Sequence, residues 1–368
     1  MLLILLCLFI AVVVIQFFYY IVVFGKFSFG KPQIATPKRI PISIIVCAKN
    51  EEENVKNFIP LLAEQNYPDF EIVLIDDASS DDTLEIFEAF EKQYSNVKLV
   101  KVENNEAFWG NKKFALTLGI KAAKHEYLLF TDADCYPAST DWITTMSSQF
   151  TMHKTIVLGY GAYEKIANSF FNKIIRFETL LTATQYFGWA KIGKPYMGVG
   201  RNLAYKREEF FKVNGFIDHM KIRSGDDDLF INQAANSKNT AICFQPESFT
   251  YSKPKTSFKD WFSQKRRHVS TAGNYKMFDK NQLGLFYVSQ ILFFILFIVL
   301  LAFQYQWIAV TSIIAFRYLF AWSTLGFAAG KLKEKDVMYW FPFIEIVLII
   351  TQLNIFITNT FSKPVHWK

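Results

Sequence analysis

Leu2 to Phe24 contains no Asp, Glu, Lys or Arg. About 23 residues at 1.5 Å each make a helix that spans a hydrocarbon core of roughly 30 Å. Three more apolar stretches stand at the other end of the chain. Gly284 to Phe303 carries no charge, Trp307 to Ala329 carries only Arg317, and Val337 to Phe361 carries only Glu345. These four segments dictate the plan: a membrane segment 1–24, a Pro-bearing linker 25–40, a water-soluble domain 41–280 and a membrane region 281–368 with two or three crossings. A cleavable leader fits the first segment badly, because it has no basic start, runs too long and lacks a small-residue cleavage site. Pro342, Glu345 and Asn354 predict that the last segment is a poor simple crossing.

Basic residues set the orientation. Lys26, Lys31, Lys38 and Arg39 follow the first segment, and Lys265, Arg266, Arg267, Lys276 and Lys280 precede the second. The positive-inside bias therefore predicts a multi-pass protein of the cell membrane with its central domain in the cytoplasm. The formal net charge of +7 lies largely beside these segments. It points to anionic lipid as a partner, and no basic-aromatic module for nucleic acid is recognisable. Cys7, Cys47, Cys135 and Cys243 form no CxxC pair, so neither a zinc site nor disulfides are indicated.

Within the central domain, Ile42–Cys47, Phe70–Ile75, Val97–Val102 and Tyr127–Thr131 read as buried strands separated by helical patterns. That alternation predicts an α/β, mostly parallel sheet, whose ligands bind outside the carboxyl ends of the strands. Three acid-bearing turns fall on that edge, after Cys47, after Ile75 and after Phe130. In the first, Asn50 is expected to cap a helix whose opening turn holds Glu51, Glu52 and Glu53. In the third, Asp132 and Asp134 would lie about 6.6 Å apart on one side of an extended chain, at roughly 3.3 Å per residue. Two carboxylates so placed can bracket a hard divalent cation, or divide between metal and ribose, or be a solvated turn.

The stretches SIIVCAKNEEENV, IVLIDDASSDDT, NKKFAL, FTDADC, SGDDDLF and QKRRH follow one another in that order. Together they resemble the family 2 glycosyltransferases of the GT-A (Rossmann-like) fold, the group that includes cellulose, chitin, hyaluronan and poly-N-acetylglucosamine synthases. The resemblance covers roughly Pro41 to Ser270. It implies that Ala48, Asn50, Glu51, Asp76, Asp77, Lys112 and Asp132 bind the nucleotide sugar, with Asp134 and Asp132 on a divalent cation, Mg²⁺ or Mn²⁺. Asp226 and Asp227 match the acidic catalytic pair, with Asp227 as base; a run of three aspartates leaves the register open by one. Gln264 and Arg267 match Q-x-x-R-W, but His268 stands where the family usually has Trp.

The chemistry is consistent with that resemblance. A departing diphosphate needs a cation, helped by Lys112, Arg267 and Arg201, and an attacking hydroxyl needs a carboxylate base. With no second carboxylate marked as nucleophile, an inverting single displacement is expected, from a UDP-linked donor to a glycan or lipid-linked acceptor. Two other readings stay open: a metal-dependent nucleotidyltransferase, and a non-catalytic subunit of a polysaccharide assembly or export complex. Blander roles also stand. Asp226–Asp228 would suit a helix N-terminus, Lys112 and Lys113 a solvated helix start, and Trp109 and Trp189 either sugar stacking or packing. Arg317 would either pair with Glu345 inside the membrane or line a sugar path.

Overall fold

The computed structural model describes residues 1–31, 36–103, 112–222 and 224–362. Trp109, Arg223 and part of the linker therefore lie outside the described residues.

Ten strands are present among the described residues: β1 (Ile42–Ala48), β2 (Phe70–Asp76), β3 (Val97–Lys101), β4 (Tyr127–Asp132), β5 (Cys135–Pro137), β6 (Ile156–Leu158), β7 (Gly161–Tyr163), β8 (Leu203–Lys206), β9 (Thr240–Ile242) and β10 (Thr250–Ser252). Seven form one sheet in the order β3-β2-β1-β4-β8-β6-β9. The first four are mutually parallel, while β8 runs antiparallel to both β4 and β6. β1 is buried at every position, as a β-branched strand covered on both faces should be. In register, Ala48 pairs with Asp76 and Cys47 with Asp132, so the acid turns leave the sheet at one level. Helix Lys112–Ala122 packs closely over this sheet; a Cβ at Gly119 would lie 2.1 Å from Ile75 Cδ1. A small second sheet, β5-β10-β7, stands beside the carboxyl edge.

Among the described residues, four helices are long and apolar enough to cross a membrane: Leu2–Ser28, Met277–Ala302, Trp307–Lys331 and Lys335–Phe361. The first includes a π-helical stretch, Phe18–Phe24, in which both Tyr19 and Tyr20 are buried. The last corrects the expectation drawn from Pro342. Phe341–Phe361 is a continuous helix, and Pro342 sits in its opening turn, where a missing N–H leaves no bond unmade. Arg317 and Glu345 are paired, with Nη1 and Oε2 2.8 Å apart, and Arg317 Nε also donates to Gln16 Oε1 at 2.7 Å.

These helices are fastened to the sheet domain. Helix Phe170–Lys191 passes the first span so closely that a Cβ at Gly188 would lie 2.7 Å from the Val23 carbonyl oxygen. From the same helix, Arg176 donates to Glu334 (Nε to Oε2, 2.8 Å) and to Asp336 (Nη1 to Oδ2, 2.8 Å), at the turn between the third and fourth spans.

Candidate active site

A cavity of about 1490 Å³ opens at the carboxyl edge of the parallel strands. Asp132, Asp134, Asp226, Asp227 and Lys112 line it together. Lys112 Nζ lies 2.7 Å from Asp132 Oδ1 and 3.2 Å from Asp226 Oδ2, so one ammonium joins the two acidic clusters. Burial works against that charge, but Asp132 and Asp226 more than offset it and raise the lysine's pKa well above its ordinary value. For Asp226 burial would raise the pKa; Lys112 reverses that and holds it low.

The D-x-D pair is not extended. β4 stops at Asp132, Ala133 and Asp134 form a turn, and β5 begins at Cys135. The turn folds the two carboxylates together: one ligand atom each of Asp132, Asp134 and Cys135 lies within 4.8 Å of the others. Burial, then Asp132, raises the Asp134 pKa. Burial and Asp134 push the Cys135 thiol well up, so it stays protonated and donates to Asp134 Oδ1 at 3.4 Å. The available donors are therefore carboxylate oxygens, which suit a hard cation rather than zinc.

The three consecutive aspartates differ sharply. Asp227 caps helix Asp228–Ala234: Oδ1 accepts the Asp228 N–H at 2.7 Å, and Oδ2 accepts the Gly200 N–H at 2.6 Å. Burial, then its neighbours Asp226 and Asp228, raise its pKa to about 8. Asp228 turns inward and accepts from the hydroxyls of Thr271 (2.5 Å) and Tyr275 (2.6 Å). The run thus contains a helix start, and all three of its aspartates are among the cavity-lining residues.

The first acid turn also differs from expectation. Asn50 does not cap the helix; it adopts φ +55°, and its Oδ1 accepts the Ser80 N–H at 2.8 Å. Helix Glu52–Ala63 starts from Glu51, because Asn50 is held by the second acid turn instead. Asp76 folds back to accept the Ser79 N–H, and Asp77 lies 4.0 Å from Lys49. Glu51, Lys49 and Cys47 line the cavity, whereas Ala48, Asn50, Asp76 and Asp77 are not among its lining residues.

Helix Phe258–Thr271 closes the opposite wall with Gln264, Arg267 and His268. Gln264 Oε1 is buried with no hydrogen-bond partner among the described residues. Burial lowers the Arg267 pKa, against the charges of Asp226 and Asp132 that it faces. His268 is exposed toward the cavity; partial loss of solvation, then the charges of Lys265, Arg267 and Arg201, lower its imidazole pKa. Arg201 has a structural task as well. Its guanidinium donates to the Gly161 carbonyl and to Ser252 Oγ, both at 2.9 Å, and stacks 4.3 Å from the Tyr163 ring.

One residue read as a solvated helix start is the reverse. Lys113 is fully buried, and its Nζ donates to the carbonyls of His219 (2.8 Å), Ile222 (2.9 Å) and Ser224 (2.9 Å). It thereby fastens the segment that leads into Asp226. The signal was present in the spacing, since Lys113 shares a helix face with Leu116 and Ile120.

A parallel sheet with acid turns on its carboxyl edge and an antiparallel extension beyond β4 is the GT-A arrangement. The chain belongs to glycosyl transferase family 2, whose profile it matches over residues 43–228, and it also matches glycosyl transferase family group 2 over 141–344. It is 39% identical over 93 residues to a poly-beta-1,6-N-acetyl-D-glucosamine synthase of Staphylococcus epidermidis, covering 25% of this chain and 21% of that one. It is 26% identical over 238 residues to the probable glycosyltransferase YdaM of Bacillus subtilis, covering 62% of this chain and 55% of that one. The chain thus spans about a fifth of the synthase and about half of YdaM. Among solved structures, a mannosyltransferase of Pyrobaculum calidifontis in complex with GDP-Man and Mn²⁺ matches with a TM-score of 0.60 at 17% identity, covering 89% of this chain and 98% of that one. That likeness concerns the fold. Family membership favours the glycosyltransferase reading over the nucleotidyltransferase alternative.

Proposed function

We propose that this protein is a membrane-bound inverting glycosyltransferase that moves a sugar from a nucleotide sugar, a UDP-sugar, to a glycan or lipid-linked acceptor. The supporting observation is the joining of two acidic clusters by Lys112 at the mouth of one cavity. Asp134 and Asp132 would hold a divalent cation, Mg²⁺ or Mn²⁺, which supplies charge stabilisation for the departing diphosphate. Lys112 and Arg267 add fixed positive charge on the same side. Asp227 takes the proton from the acceptor hydroxyl. The acceptor oxygen, freed of that proton, then attacks the anomeric carbon, and the nucleoside diphosphate leaves with the electron pair of the broken glycosidic bond. A carboxylate with a pKa of about 8 is a stronger base than an ordinary aspartate. The unpartnered Gln264 Oε1 would accept from a second acceptor hydroxyl.

The glycine-free first acid turn and the pairing of Asp77 with Lys49 suit the nucleoside end of the donor. The basic flanks support a cytoplasmic catalytic domain on the cell membrane. Donor hydrolysis across UDP-, GDP- and dTDP-sugars, with and without Mn²⁺ or Mg²⁺, tests the proposal. It fails if no nucleotide sugar is turned over under any of these conditions, or if turnover ignores the cation.

A further inference from the structure

The third span, Trp307–Lys331, packs one face against the protein and leaves the other open. Arg317, Ala321, Thr324, Leu325 and Ala328 are buried, whereas Leu319, Trp322 and Phe327 are exposed. A second cavity, of about 870 Å³, is cut into the open face. Its lining residues Leu319, Trp322, Gly326 and Gly330 follow one another by three or four, so they share one side of the helix. The glycines make the notch: at Gly326 nothing lies within 4 Å of an added Cβ. From Ala315 to Gly330 the groove runs about 22 Å, at 1.5 Å per residue. That is close to one leaflet with its headgroups, half of about 40–45 Å.

The groove is apolar along most of its length and cationic at one end, where Lys331 and Lys335 line it. Lys331 Nζ donates to the carbonyls of Phe27 and Gly30, neutral acceptors that fix the ammonium without cancelling its charge. Lys335 bends back over the notch, since a Cβ at Gly330 would lie 3.3 Å from its Cε. The acids on either side of it, Glu334 and Asp336, are both turned to Arg176, and Asp336 holds Lys165 as well. Lys335 is therefore exposed and, among the described residues, has no carboxylate partner.

We infer that this groove binds one anionic phospholipid, with an acyl chain in the notch over Gly326 and the phosphodiester head between Lys331 and Lys335. A second copy of the chain suits the groove less well. A two-fold contact would set these lysines against their own copies, and a partner helix would cross both leaflets where the groove spans one. The bound head would brace the turn whose acids hold Arg176, and with it the attachment of the sheet domain. The inference rests on the membrane-bound reading and is independent of the transfer chemistry.

Native mass spectrometry of the full-length protein in neutral detergent tests it, with phosphatidylglycerol and phosphatidylcholine of the same chains titrated separately. One phosphatidylglycerol per protein is expected, held about thirtyfold more tightly than phosphatidylcholine, at the worth of one surface lysine each for Lys331 and Lys335. Lys335→Gln should lower that preference about fivefold. Gly326→Leu fills the notch without a clash and favours the helix. It should weaken both lipids about tenfold, the worth of roughly two displaced methylenes. Glycerol 3-phosphate, a head without chains, should not compete, and UDP affinity with Mn²⁺ should be unchanged in both variants. The inference is overturned if the two lipids bind alike, if glycerol 3-phosphate competes, or if both variants bind as the unmodified protein does. A doubled mass that Gly326→Leu abolishes would also overturn it, by giving the groove to a second copy. A protein that stays monodisperse without detergent would sink the membrane-bound reading itself, and the inference with it.

Discussion

Replacing Lys113 by Met separates what holds the catalytic segment from what holds the fold. The ammonium makes three hydrogen bonds to main-chain carbonyls between His219 and Ser224. At the low end for charged groups, about 1.5 kcal/mol each, they contribute about 4.5 kcal/mol. Against this stands the burial of the charge, which lowers the lysine's pKa from 10.5 to about 8 and costs about 3 kcal/mol. The net loss on mutation is then only about 1.5 kcal/mol, or a few degrees in Tm. Catalysis should suffer more, because the released segment carries Asp226 and Asp227. We expect kcat to fall at least about tenfold, following the sensitivity of such sites to small misplacements, with donor affinity nearly kept. Stability against pH gives a second readout. Because the folded pKa is depressed, the folded protein binds fewer protons between about pH 8 and 10.5, so stability rises with pH across that window. Lys113→Met should abolish this rise. Parallel measurement of kcat and thermal unfolding decides the matter. A variant with a large drop in Tm and an unchanged kcat would refute the reasoning.

Asp134→Asn should weaken Mn²⁺-dependent UDP binding by about a hundredfold while the fold survives, as titration calorimetry would register; equal affinity would remove its metal role. Asp227→Asn should keep UDP-sugar affinity within a few-fold and cut transfer by about 10²–10⁴-fold. In the unmodified enzyme the rate should climb as pH rises through about 8, since the base acts deprotonated. A flat profile there, or an inactive Asp226→Asn beside an active Asp227→Asn, would move the base to its neighbour. Arg176→Met strands the buried Glu334 carboxylate and should destabilise the protein by about 3–5 kcal/mol, measured by unfolding in detergent; an unshifted transition would show that the pair contributes nothing.

The parallel strands could be read from the sequence because β1, β2 and β4 each carry an apolar run of four or more residues, and β3 (Val97–Lys101) interleaves apolar and basic residues. β6, β9 and the second sheet escaped notice. Ile156–Leu158 and Thr240–Ile242 are three residues each, too short for any periodicity, and they pair across some eighty positions of chain. The acids were legible for the reason that the strands were, since they stand where apolar runs stop. What each acid does was not. Asp226, Asp227 and Asp228 are equivalent as letters, and only Lys112, the Gly200 N–H and the hydroxyls of Thr271 and Tyr275 tell them apart. The structural task of Arg201 is not legible in the sequence, because its partners, Gly161 and Ser252, lie 40 and 51 residues away.

The close passage of Gly188 over Val23 leaves no room for a hinge between the sheet domain and the first span. The Arg176 contacts pin the same helix a second time, at the turn before the fourth span. Two fixed points on one rigid helix define a distance. On the membrane-bound reading, the carboxylates stand at a constant height above the bilayer and cannot tilt outward to collect an acceptor from bulk water. The protein then acts as a gauge: it modifies what protrudes from the membrane to that height, and passes over chemically identical hydroxyls presented nearer or farther.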